Sequence, residues 1–193
     1  MGLDISIRTD IDTIIFADNY YAETNDLLNK NNLSRTFCNL MCRIGIVDGE
    51  TELDQIGRIT SVDISSIYQM NTNLNESDEE LEFLLEEAES EEERQALVHQ
   101  SQQKKNNLTG NISIVLETIN LLIDRLSKID NLPSLLNDHG IDTLNNKQYF
   151  AEFILDKGDG NLGNNFGQDL RNFRRFVEYA KAKGAATLYF MYG

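Results

Sequence analysis

The clearest periodic signal lies in the second half of the chain. Ile112, Val115, Ile119, Leu122, Leu126 and Ile129 recur at alternating steps of three and four, and Leu116 and Ile123 widen the stripe. Apolar positions at that period line one face of a helix, which predicts a helix over about 112–129. The same logic places Leu170, Phe173, Val177 and Ala180 on one face of a later helix, with Lys181 and Lys183 in its last turn and Gly184 after it. Strand patterns sit at the two ends. "LDISIR" (3–8) alternates apolar and polar, "DTIIFA" (12–17) is rich in β-branched and aromatic residues, and "ATLYFMY" closes the chain. These predict an N-terminal hairpin and a final strand.

Between the ends the pattern is mostly helical. Residues 23–44 carry Leu27, Leu28, Phe37, Leu40, Met41 and Ile44, interrupted by "NKNNLS", with Gly45 in the position of a C-terminal cap. Thr51 starts one short helix and "SVDISSIYQMN" supplies another. From Ser77 to about Gln103 runs a longer helix, announced by Ser77 and Glu80 in capping-box spacing. Its stripe of Leu81, Leu84, Leu85 and Ala88 is lost through "ESEEER" before Ala96, Leu97 and Val98 resume. Paired with 112–129 across "QQKKNNLTGN", it predicts a long antiparallel helical hairpin. The fold class is therefore α+β and predominantly helical, one domain over 1–193, with 77–130 a projecting hairpin and a small sheet made by the N-terminal hairpin and the C-terminal strand.

Charge sharpens this picture. The chain of 193 residues carries 32 acidic and 17 basic side chains, a formal net charge of -15. Residues 76–94 hold 11 acidic residues and one arginine, so this segment alone contributes -10. Phosphate binding along a nucleic acid needs clustered Lys and Arg, and the balance here argues against direct nucleic-acid binding. A basic protein partner fits better, through Glu86, Glu87, Glu89, Glu91, Glu92 and Glu93, and a DNA-mimicking inhibitor is a special case of that reading. No run approaches the ~20 apolar residues of a membrane span, and the opening residues lack a secretory leader. The chain reads as cytoplasmic, without a membrane partner, and as a monomer or weak homo-oligomer.

Candidate chemistry is sparse. "DKGDGNLGNNFGQDL" (156–170) sets Gly158, Gly160 and Gly163 in G-x-G-x-x-G spacing before a helix, with Arg171, Arg174 and Arg175 within reach of a phosphate. A nucleotide- or phosphate-ligand site, in a binding protein or an enzyme, is the alternative function. Against it, Asp156 and Asp159 bring negative charge to the same turn, and the chain ends after one more strand, where a dinucleotide fold needs further βα units. The residues before the turn discriminate, since the motif requires a strand there. Tyr149, Phe150, Phe153 and Ile154 recur at helical spacing and favour a helix. A turn whose glycines supply positive φ angles accounts for the same residues.

Cys38 and Cys42, four apart on a helical stretch, read as small buried hydrophobes rather than as metal ligands. His139, between Asp138 and Asp142, is the better candidate for a general base than His99, although turn chemistry explains "NDHG". No metal set, cofactor motif or catalytic residue nominates itself. The start "MGLDI", with "LSRTF" and "DLRNF" further in, resembles small uncharacterised bacterial or prophage-type proteins that open in the same way, a resemblance that implies no activity.

Overall fold

The computed structural model describes residues 4–18, 20, 32–43, 50–71, 76–137, 147–158, 160 and 162–193, with side chains from residue 81 onward in the helix that starts at 76. Strand β1 (Ile5–Thr9) pairs antiparallel with β2 (Leu188–Tyr192) in a two-stranded sheet, Ile7 opposite Phe190. Helices α1 (Asp12–Ala17), α2 (Arg35–Cys42), α3 (Glu52–Thr60), α4 (Ser65–Gln69), α5 (Glu76–Glu87), α6 (Glu91–Leu108) and α7 (Ile112–Leu126) follow β1 in order. A 3-10 turn at Leu132–Ser134, α8 (Lys147–Phe150) and α9 (Phe166–Ala182) complete the chain before β2. The fold is α+β and predominantly helical.

The two stripes read from the sequence form the centre. Ile112, Val115, Ile119, Leu122 and Leu126 on α7 are buried, as are Leu170, Phe173, Val177 and Ala180 on α9, and the two helices pack against each other. Phe173 meets Phe37 of α2 and Phe190 of β2, with ring centroids 6.0 and 5.6 Å apart. Burying a side chain of this size contributes about 2 to 3 kcal/mol, so this aromatic junction ties helix to sheet more strongly than any surface ion pair could.

One side chain and one backbone carbonyl bond the outer edge of the sheet. Asn111, at the head of α7, accepts the Leu188 N–H and donates to the Leu188 carbonyl, each at 2.8 Å, so its amide pairs with β2 as a neighbouring strand would. The Met70 carbonyl accepts the Phe190 N–H at 2.7 Å. Three of the outward backbone groups of β2, at Leu188 and Phe190, are thereby satisfied without a third strand.

The sequence expectation is corrected in two places. Residues 12–17 form α1 rather than the second strand of a hairpin. Asp12 accepts the Thr9 N–H and hydroxyl at 2.7 and 3.1 Å and turns the chain at once into a helix that buries Ile15 and exposes Ile14 and Phe16. The partner of β1 is the C-terminal strand. A helical hairpin is present, but its limbs are α5 and α6, in contact across the short link Ala88–Ser90, whereas α7 belongs to the core. The break falls where the apolar stripe is lost. Ser90 caps α6 by accepting the Glu93 N–H at 3.1 Å, and the Glu93 carboxylate accepts the Glu89 N–H at 2.9 Å.

Candidate functional site

The acidic segment forms an exposed arm. Leu81, Leu84 and Leu85 of α5 and Ala88 just after it are half-buried, and on α6 only Leu108 is fully buried. Glu86, Glu87, Glu89, Glu91, Glu92 and Glu93 are all exposed, and Glu91, Glu92 and Glu93 occupy the first turn of α6, where they oppose the positive end of its dipole. At 100° per residue Phe83 faces away from the leucine seam, and it is 59% exposed between Glu82, Glu86 and Glu87. Val98 on α6 is 48% exposed. The glutamates named from the sequence are exposed, and Phe83, which the sequence reading did not name, stands out only by its displacement from the seam.

The glycine turn is ordered by its own backbone. Gly158, Gly160 and Gly163 have φ of 85°, 95° and 76°, the left-handed region that glycine enters without strain. A Cβ on Gly158 would stand 2.2 Å from the Gly163 carbonyl carbon, so the two ends of the turn are in backbone contact. The Gly160 N–H donates to the Asn164 side-chain oxygen at 3.2 Å. No strand leads into the turn: α8 ends at Phe150, and the residues after it form turns, with Glu152 at a positive φ of 51°. This is the arrangement that the sequence criterion sets against a dinucleotide-type site.

The three arginines take separate positions. Arg171 donates to the carbonyls of Phe153 and Leu155 at 2.8 and 2.9 Å and to the Asp156 carboxylate at 2.9 Å, stapling the 153–156 turn to α9. Arg174 lies 3.8 Å from Glu178 on the same helix, and Arg175 donates to the Asn172 side-chain oxygen. They do not gather on the glycine turn. Of the cysteines, Cys38 is fully buried and Cys42 half-buried, with their sulfurs 4.0 Å apart. Burial pushes the Cys38 thiol up to about 12, which makes it a poor nucleophile. His99 is exposed on α6, and His139 with Asp138 and Asp142 lies outside the described residues, as does Asp159.

A cavity of about 470 Å³ lies beside the turn, lined by Thr36, Gln148, Tyr149, Glu152, Lys157 and Asn164 among others. Lys157 forms an ion pair with Glu152, so its charge is already balanced. Behind the wall is a buried carboxylate that sequence reading passed over. Asp169, in the first turn of α9 and fully buried, accepts at one oxygen the Ser34 N–H and the Asn164 side-chain amide, both at 2.9 Å. Its other oxygen accepts the Ser34 hydroxyl at 2.6 Å and the Tyr149 hydroxyl at 2.8 Å. Burial pushes this carboxyl up to about 6, against the downward pull of hydrogen bonds from Ser34, Asn164 and Tyr149. Burial likewise raises the Tyr149 phenol well above its ordinary value.

The position of Asp169 is set locally. Asn165 caps α9 by accepting the Gln168 N–H at 2.8 Å, and its amide donates to the carbonyls of Glu152 and Leu155 at 2.9 Å. Gly167 then lets the helix backbone press on the 153 turn, since a Cβ there would stand 1.8 Å from the Phe153 carbonyl oxygen. Among the described residues no group of three or more His, Cys, Asp or Glu side chains could hold a metal ion, and no helix is long and apolar enough to cross a membrane. Comparisons of the chain with protein-family models, curated proteins and solved structures gave no match.

Proposed function

We propose that this protein is a non-enzymatic interaction module that presents the α5–α6 arm to a basic protein partner. The observation that carries the reading is Phe83, a largely exposed aromatic ring set among Glu82, Glu86 and Glu87 on the outer face of α5. Aromatic side chains anchor interfaces because they bury a large area at little entropic cost, and a surrounding acidic rim steers a positively charged partner towards them. A Lys or Arg of the partner laid over the ring would also gain cation–π attraction. The partner's chemistry is then a Lys/Arg-bearing segment rather than a nucleic acid, whose phosphates the arm would repel. A basic nucleic-acid-binding protein, with the arm standing in for its phosphates, belongs to the same class.

The test is binding of the full chain to a synthetic Lys/Arg-rich peptide over a salt series. Neutralising Glu86, Glu87, Glu91 and Glu92 to Gln is expected to weaken binding about tenfold or more at low salt and to flatten the salt dependence. Neutralising Glu117, Asp124, Asp130 and Glu178, which are also exposed, makes the same change in net charge off the arm and is expected to have a much smaller effect. Phe83→Ala separates anchoring from charge, since it leaves the salt slope intact while lowering affinity. Equal losses in the two neutralised proteins would reduce the interaction to net charge and sink the proposal.

A further inference from the structure

The turn after α8 is held firmly and still displays apolar side chains. Asn165 donates to the carbonyls of Glu152 and Leu155, and Arg171 to those of Phe153 and Leu155, so α9 and its cap fix the backbone of the turn. Phe153 joins the core, whereas Ile154 is 70% exposed and Leu155 51%. Ile154 is the most exposed large hydrophobic side chain among the described residues. Both residues line a second cavity, of about 510 Å³, between this turn and the end of α7. Leu132, Phe150 and Phe153 are its buried lining, and Ile129 is half-buried there. Buried and exposed apolar side chains thus share one concavity, which a lone exposed residue would not do.

The polar groups of this cavity are one-sided. Its charged lining is Asp130 and Glu152, and among the described residues no Lys or Arg lines it. Glu152 is paired with Lys157, but Asp130 is exposed, and no described group pairs with its carboxylate. The carbonyls of Ser127 and Ile129, just past the last turn of α7, likewise receive no described donor. The negative end of the α7 dipole lies at the same place. Acceptors without donors beside an apolar hollow match an occupant that brings an apolar side chain and a cation together.

We propose that this cavity docks a segment of a partner protein in which an aliphatic or aromatic side chain stands next to Lys or Arg. The apolar side chain packs on Leu132, Phe150 and Phe153 with Ile154 and Leu155 at its flank, and the cation meets Asp130 and the free carbonyls. Charge complementarity selects this occupant over a second copy of the chain, because the exposed ring of the arm, Phe83, is set among Glu82, Glu86 and Glu87 and brings like charge to Asp130. A small molecule is engulfed by its pocket, which buries ~70–90% of its surface. Here Ile154 and Leu155 carry apolar surface out of the hollow, where a longer segment covers it. Asn165 and Arg171 already fix the turn, so docking has little of it left to order. The inference does not rest on the arm, since the two surfaces share the charge of their partner and no residue.

Methyl NMR of the full chain, labelled at isoleucine and leucine, follows Ile154, Leu155 and Ile129 directly. The probes are three short synthetic peptides: one with leucine flanked by lysines, one with glutamates in place of the lysines, and one with alanine in place of the leucine. The first is expected to shift these methyls and to saturate by ~5 mM, with the other two at least about fivefold weaker. Ile154→Ser and Asp130→Asn alter exposed side chains and so leave the fold intact. Read at Ile129, the first should weaken binding of the lysine peptide about tenfold, and the second about threefold with a smaller salt slope. Neutralising Glu86, Glu87, Glu91 and Glu92 to Gln should change it less than about twofold, which separates this surface from the arm. The proposal is overturned if the lysine peptide moves none of these methyls or if the glutamate peptide moves them equally. Shifts on diluting the free protein would place a second copy in the cavity instead, and a short alkylammonium that binds as tightly as the peptide would make it a small-ligand site.

Discussion

A carboxylate with four hydrogen-bond donors and no cation beside it is subject to two opposed terms, and Asp169 shows which dominates. The donors favour the ionised form, yet desolvation is larger and raises the carboxyl from 3.8 to about 6. A carboxyl whose folded value is raised binds its proton more tightly in the folded state. Its contribution to stability therefore grows as pH falls through about 6, and is complete below the unfolded value of 3.8. A rise of ~2 units corresponds to about 3 kcal/mol. Urea denaturation of wild type and Asp169→Asn at pH ~7 and ~4.5 should show wild type gaining roughly 2 kcal/mol on the variant at the lower pH. The opposite sign would mean that the donors outweigh burial. Gly167 offers a starker case, because the Cβ of Gly167→Ala would overlap the Phe153 carbonyl oxygen at 1.8 Å. That substitution is expected to cost about 3 kcal/mol or more in the same assay, whereas Gly110→Ala, with open space around the site and a φ of 77°, should cost only ~1 kcal/mol of backbone strain.

At the scale of elements, the sequence reading succeeded where a regular apolar stripe runs along a helix. The stripes on α7 and α9 are legible because their central positions, Ile112, Val115, Ile119, Leu122 and Leu126 on one and Leu170, Phe173, Val177 and Ala180 on the other, are all buried, so composition and environment coincide there. It failed at α1, where β-branched and aromatic residues describe strand propensity and the deciding contact is the Asp12 side chain on Thr9. It also paired the wrong helices in the hairpin, because a stripe as regular as that of α7 suits a hairpin limb and a core helix equally well. The glycine turn was legible in conformation, each glycine at positive φ, but the pressing of Gly167 on Phe153 needs a contact between residues 14 apart in the chain. Asp169 was hidden for a related reason, since an acid in the first turn of a helix is usually a surface residue facing the dipole. The thin burial of the arm has a dynamic consequence. Only Leu108 of α6 is fully buried, so amides of α5 and α6 should exchange with solvent much faster than those of α7 and α9 in native-state hydrogen exchange. Ser90→Ala should speed α6 exchange further, by roughly fivefold for ~1 kcal/mol of lost capping. Uniform protection along α5, α6 and α7 would show the arm to be part of the cooperative core.

For the whole molecule, the question is whether its charges attract or repel on balance. The net charge is -15, and the segment 76–94 concentrates -10 of it. Attraction comes from ion pairs that are mostly at the surface, such as Lys128 with Asp124 and Arg58 with Glu50, each with side chains at least one-third exposed. Pairs of this kind contribute ~0 to 1 kcal/mol each. Repulsion among 11 acidic side chains on one arm is longer in range, and at low ionic strength the screening length of ~30 Å reaches across the whole arm. Raising salt to ~0.1 M shortens that length to ~10 Å, which removes the distant repulsion while close ion pairs lose less. The melting temperature is therefore expected to rise by a few degrees between ~0.01 M and ~0.1 M sodium chloride. Neutralising Glu86, Glu87, Glu91 and Glu92 should raise it at low salt and reduce its salt dependence, so the substitutions that the proposed function expects to weaken partner binding should stabilise the free protein. That pairing of effects is what separates an acidic surface kept for binding from one that holds the fold together: if neutralisation destabilises the chain instead, the glutamates support the arm itself.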